Sequence, residues 1–185
     1  MRYVLNFIGM KPFAYWFGSL ICDYSLACLP TFMFMIIVIV GGVDALSSKW
    51  YIVLGTVLAF LFPLVTLTYA MTFLFKKSER AFRLIGTVYM LTGYLIPVTL
   101  LNLGQAMSES TYNTVTIIFG IFIPFVPFFN TMVGIVIEYL VEKINDGKPL
   151  DIPISSFQHW YYSVPLMLVQ GVVFFIITLI IDYNV

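Results

Sequence analysis

The chain has 185 residues, 61% of them hydrophobic and 10% charged, with nine basic residues balancing nine acidic ones. A soluble domain carries roughly a quarter charged residues, so this composition, with a mean hydropathy of +1.00, excludes an ordinary soluble globule and marks an integral membrane protein. Zero net charge and the lack of a basic stripe interleaved with aromatics argue against nucleic acid as a partner.

The N-terminal stretch, "MRYVLNFIGMKPFAYWFG", is no signal peptide, because only a short apolar stretch separates Arg2 from Lys11 and Pro12. The first span is expected over 18–42, closed by Gly41 and Gly42. It contains Cys22 and Cys28, whose spacing fits no zinc or redox pattern and which are expected to be buried structural thiols. It also contains Asp23, an acid about a turn and a half inside the run. At ~1.5 Å per residue that depth lets it reach water or Lys11. An intramembrane carboxylate is a polar site by default, but this shallow placement favours an interfacial structural role.

A polar tip, "VDALSSK", leads to a second span over 50–75, with Trp50 and Tyr51 placed as an interfacial belt. Next comes "KKSERAFR", which gathers Lys76, Lys77, Arg80 and Arg83. The third span covers 84–104. It gives way to "QAMSESTYNT", whose only formal charge is Glu109. The run 115–140 holds "GIFIPFVPFFN", where two prolines three residues apart remove donors and break a continuous helix. A broken helix is allowed at membrane depth only where protein or a watery cavity covers its open backbone, which favours a re-entrant hairpin over a full crossing. A polar loop, "VEKINDGKPLDIPISSFQHW", precedes the last span over 161–183. Pro30, Pro63 and Pro97 sit inside the other spans, where neighbours can re-satisfy the freed carbonyls.

Runs of ~20 apolar residues, without the ~10-residue alternation of a barrel, predict an all-α membrane protein. It should have about four transmembrane helices plus the re-entrant hairpin. The positive-inside rule places the 76–83 segment and the N-terminus in the cytoplasm and the Lys49 and Glu109 loops outside. With a re-entrant 115–140, the C-terminus is cytoplasmic too; a full crossing would put it outside.

No catalytic constellation emerges. The sole histidine, His159, lies in "SFQHWYY", an interfacial belt, with no visible nucleophile, carboxylate or metal-ligand partner. Glu138 and Asp182 are near the ends of their runs. Phosphate-loop, dinucleotide and zinc-protease motifs are absent, so the chain cannot hydrolyse a nucleotide alone.

Four blocks, in order, resemble one family. "YVLNFIGMKPFAYWFGSLICDY" is similar to the stretch leading into the third transmembrane helix of subfamily A ABC transporters, through Gly9, Met10, Tyr15, Trp16 and Asp23. "YAMTFLFKKSERAF" resembles the end of the next helix, with Ser78, Ala81 and Phe82 matching. "FVPFFNTMVGI" is similar to that family's outer hairpin. "VQGVVFFIITLIID" resembles its last helix, commonly preceded by Glu-Gly where this chain has Gln170 and Gly171.

The resemblance implies the later part of one transmembrane half, an ABC exporter permease-like domain over 1–185. Residues 1–17 would be a cytoplasmic coupling-type helix. Met1 falling inside a family motif suggests a fragment, a truncated gene model or a split subunit without the nucleotide-binding domain. ATP and Mg would then be bound by an associated ATPase domain, with no cofactor in this chain. The implied partners are that domain, the other transmembrane half and membrane lipid. The implied activity is ATP-driven movement of lipid or another hydrophobic substrate. Coupling to the ATPase would fall on Gly9, Met10, Lys11, Tyr15 and Trp16, and on Lys76, Lys77, Ser78, Glu79, Arg80, Ala81 and Phe82. The basic cluster can equally be a topology anchor on anionic lipid, and both roles can coexist. The competing expectation is a small structural subunit of a larger membrane complex, with no transport activity of its own.

Overall fold

The structure is a computed structural model that describes residues 11–75, 78–104, 107–144 and 159–184; for 78–82, 109, 144 and 184 it describes the backbone alone. Every regular element among the described residues is helical: α1 (Pro12–Val40), α2 (Asp44–Ser47), α3 (Trp50–Thr72), α4 (Ser78–Met90), a π-helical turn π1 (Leu91–Leu95), α5 (Ile96–Gly104), α6 (Glu109–Phe122), α7 (Phe125–Ile144) and α8 (Trp160–Asn184).

Pro12 starts α1 because a proline at the first helical position has no orphan N–H to waste and a φ already suited to the helix. No boundary falls at 17/18, since nothing there breaks the pattern, and the helix runs on to the glycine pair. Its 29 residues amount to about 43 Å at ~1.5 Å per residue, well beyond the ~30 Å of a hydrocarbon core. Gly42 adopts a φ of +66°, a left-handed position that glycine takes without a Cβ clash, and this turns the chain into α2 and α3.

α3 is the central post. It pairs antiparallel with α1: Met35 packs on Val53 at one end, and Trp16 packs on Tyr69 and Phe73 at the other. It pairs most extensively with α8, running parallel to it, since Met167 meets Ala59 and Phe60 while Gly171 lies against Phe62. Gly171 is required there, because a Cβ would overlap the Phe62 ring. We call the two ends of this bundle the Lys49 end and the Lys11 end.

α6 and α7 form the expected pair of half-helices, longer than predicted at both limits. The two prolines act differently. Pro124 sits in the break after Ile123, whose φ and ψ are extended. Pro127 lies in the first turn of α7, where a missing N–H leaves no bond unmade. Tyr112, near the start of α6, lies against Gly104 at the end of α5. The last turn of α6 reaches Gln170 of α8. α7 then begins beside the middle of α3, with Phe125 and Phe128 on Phe60. Further on, Ile135 meets Val53 and Glu138 meets Lys49.

Both half-helices therefore open toward the Lys49 end and turn back beside the midpoint of α3. By length and apolarity five segments could cross a membrane, Phe125–Lys143 among them. Among the described residues α7 packs against the first half of α3, the arrangement that the re-entrant expectation calls for. Four long helical segments plus this hairpin make up the all-α architecture.

Candidate functional site

The sequence-predicted residues that the structure describes converge at the Lys11 end. Tyr15 and Trp16 leave the first turns of α1 edge to face, with ring centroids 5.2 Å apart. The Trp16 ring lies 5.1 Å from Tyr69 and 5.7 Å from Phe73, on the last turn of α3. Asp23, two turns further along α1, accepts a hydrogen bond from the Tyr69 hydroxyl. Aromatic pairs of this kind add ~0.5–1.5 kcal/mol beyond their buried area.

Asp23 is not paired with Lys11. Twelve positions apart on one helix they stand about 18 Å apart. Tyr69 and Phe73 were not singled out by sequence; the available signal was two aromatics one turn apart immediately before the basic cluster. From Phe73 the chain turns through Leu74 and Phe75, whose N–H groups donate to Met71 and Thr72 at 3.1 and 3.3 Å. It then enters the predicted coupling segment. Gly9, Met10, Lys76 and Lys77 lie outside the described residues. Ser78, Glu79, Arg80, Ala81 and Phe82 form the start of α4. The junction is an aromatic contact between the first turns of α1 and the C-terminal end of α3.

Two other expectations are settled here. Cys22 is exposed and Cys28 half-buried, not the buried pair expected, because the α1 face that carries Cys22 has no protein against it. His159 stacks on Tyr161, 5.0 Å between centroids, as a belt residue would. Among the described residues no group of three His, Cys, Asp or Glu could hold a metal.

The hairpin has its own seat. Its open backbone lies at the C-terminus of α6, where the last carbonyls have no helical partner. Gln170, only 4% exposed, donates from Nε2 to the carbonyls of Gly120 (2.6 Å) and Ile121 (2.9 Å). Its Oε1 is buried without a hydrogen-bond partner, as is Nδ2 of Asn130, which is 2% exposed on α7. At the Lys49 end the hairpin is held by charge: Lys49 Nζ lies 2.8 Å from Glu138 and 3.4 Å from Glu142. Burial alone would lower the Lys49 pKa, but hydrogen bonding and the charges of the two carboxylates outweigh it and leave it raised.

The segment α4–π1–α5 is the least covered of the long helices. Thr87, Leu91, Leu95, Thr99 and Asn102 are all exposed. In an unbroken α-helix Thr99 would lie about 120° around the axis from Thr87, at ~100° per residue. The π turn absorbs one residue and rotates everything after it back by about 100°. It thereby aligns the five positions as one stripe with a polar group toward each end. Gly93 makes the turn's other face smooth: a Cβ there would stand 2.9 Å from the Phe125 ring.

A family model described as ABC-2 family transporter protein matches residues 2–180. No curated protein matches the chain, and no solved structure does.

Proposed function

The chain belongs to the ABC-2 transporter family, and from that premise we propose that it is the later part of one transmembrane half of a subfamily A-like exporter that moves lipid or another hydrophobic substrate. As a multi-pass permease component of an ABC transporter it works with an ABC ATPase and a partner transmembrane unit. The remaining question is how this chain meets them.

One observation carries the reading: the exposed stripe of Thr87, Leu91, Leu95, Thr99 and Asn102 on the least covered helix. Polar side chains inside a membrane segment face protein or a watery cavity more readily than lipid tails. The mixed stripe fits a surface shared with the partner unit and lining a path for an amphipathic substrate. ATP and Mg are bound by the ATPase in this reading, and no residue of this chain holds them.

At the other contact, residues 76–82 and the Tyr15–Trp16 pair would rest on the ATPase, with the Trp16–Phe73 packing supporting transmission into α1 and α3. Basic residues at that end support a cytoplasmic placement of the Lys11 end. A hairpin that enters and leaves at the Lys49 end supports a cytoplasmic C-terminus.

The test uses the complete transporter in vesicles. Thr99→Leu with Asn102→Leu is expected to reduce lipid-stimulated ATP hydrolysis several-fold while basal hydrolysis is kept. Cysteines at the two positions are expected to cross-link to the partner unit. Unchanged stimulation and no cross-link would remove the stripe from the pathway.

A further inference from the structure

The broken helix raises a question that the proposed function does not answer: what keeps the hairpin seated. Re-entrant backbone must find partners in protein or in a watery cavity, because the hydrocarbon offers none. Here the partner is a single side chain. Gln170 Nε2 carries two N–H groups and spends both on the end of α6, at the Gly120 and Ile121 carbonyls. The neighbouring Gly171 lets α8 press against Phe62 of α3, so the capping group is carried on the most tightly packed helix pair. The hairpin's other tether, Lys49 with Glu138 and Glu142, lies at its far end. Apolar packing of Phe125 and Phe128 on Phe60 also holds the apex, but its polar tether among the described residues is one amide whose own carbonyl oxygen is buried and unpaired. That acceptor, like the unpaired Nδ2 of Asn130, costs the seated state part of what the two bonds contribute.

The geometry points to Gln170 as the positioning residue of the hairpin, a neutral latch that seats the α6–α7 apex against α8 and whose release lets the apex leave the midpoint of the bundle. The role in transport rests on the exporter reading above; the latch itself does not. What distinguishes a latch from mere packing is the requirement for a donor. A glutamic acid at 170 has nearly the shape of glutamine. Protonated, it offers one O–H to the same carbonyls; ionised, it offers only acceptors to two acceptors and repels them.

The charged residues on the elements packed around this position lie at a distance from it. Glu109 is at the start of α6, Glu138, Glu142 and Lys143 are in the last turns of α7, Lys49 precedes α3, and Asp182 ends α8. Asp23 of α1 is engaged by Tyr69. An acid at 170 would therefore titrate without a charged neighbour among the described residues.

The experiment uses the full chain in lipid vesicles with Cys22→Ala and Cys28→Ala. Val126→Cys serves as the reporter, since Val126 is fully buried in the first turn of α7. With Gln170 intact, a membrane-impermeant maleimide should label Cys at 126 slowly at every pH. Gln170→Met should raise the rate about tenfold. Read relative to the parent at the same pH, which cancels the thiol's own ionisation, Gln170→Glu should label at about the parent rate near pH ~5 and faster than the parent near pH ~8.

Labelling of both variants at the parent rate across that range would overturn the latch. So would failure of both to insert while Thr178→Val, a buried polar change on the same helix, inserts normally, because that would make Gln170 a folding residue only. Labelling needs no ATPase and no substrate, so a negative transport assay with a positive labelling result would sink the exporter reading and leave the latch standing.

Discussion

The ammonium of Lys49 lies 2.8 Å from a carboxylate oxygen of Glu138, joining the segment before α3 to the last turns of α7. This contact makes a prediction about sidedness. Two residues in direct contact share one face of the membrane, so cysteines replacing Asp44 and Glu142 should both react with an impermeant reagent from one side of sealed vesicles, and a cysteine replacing Lys11 from the other. Reaction of position 142 with position 11 from a common side would mean that α7 crosses.

The same contact has a pH signature. The Lys49 pKa is raised in the folded chain, so its stabilising contribution is complete below the ordinary lysine value of ~10.4 and is lost as pH climbs through the higher folded value. Exposed ion pairs contribute roughly 0–1 kcal/mol, and with Glu138 and Glu142 both more than half exposed the lower part of that range applies. Lys49→Met should lower the melting midpoint in detergent by a degree or two at neutral pH. The difference should shrink in 1 M salt and disappear at strongly alkaline pH.

At the opposite end, Tyr69→Phe removes the donor to Asp23. Hydrogen bonds between membrane helices average about 0.6 kcal/mol and reach about 1.7. Asp23→Asn keeps an acceptor and should cost less than Asp23→Leu. A double-mutant cycle over Tyr69→Phe and Asp23→Leu, read by thermal melting, should give a coupling near 1 kcal/mol. A value near zero would show that the two side chains are adjacent without being coupled.

Glycine positions give a contrast. Gly171→Ala places a methyl group in the Phe62 ring and should destabilise by ~1–3 kcal/mol, as overpacked sites do, with Phe62→Leu restoring most of the loss. Gly55 has nothing within 4 Å of its missing Cβ, and Gly55→Ala should be neutral or stabilising by ~0.5–1 kcal/mol through reduced chain entropy. Equal effects at the two sites would contradict the close α3–α8 approach.

Much of the fold was legible because apolar run length and proline placement are local signals. The glycine pair at 41–42 ended α1 as read, and the proline-rich "GIFIPFVPFF" marked the hairpin. What stayed hidden depends on partners distant in sequence. Nothing in "LVQGVV" says that Gln170 meets Gly120 and Ile121, although a lone amide in an apolar run is a signal of sorts. The π turn at Leu91–Leu95 has no sequence mark beyond Gly93, because it is set by the Phe125 ring pressing from another segment. Asp23 was legible as a polar anchor, but its partner was not, since tyrosine in a span reads equally well as a belt residue. The Cys22 error has the same root: hydropathy tells that a side chain avoids water without telling whether protein or lipid covers it.

The hairpin's one-sided entry has a consequence for the surrounding bilayer. Among the described residues α1 and α8 flank α3, with α7 beside its first half and α4 beside its second, while α6 lies on α5, α7 and α8. In the re-entrant reading, the described helices displace more area from the leaflet at the Lys49 end than from the other. Any movement of the apex would then shift that balance, so the work of moving it would be done partly against the lateral pressure of a single lipid monolayer.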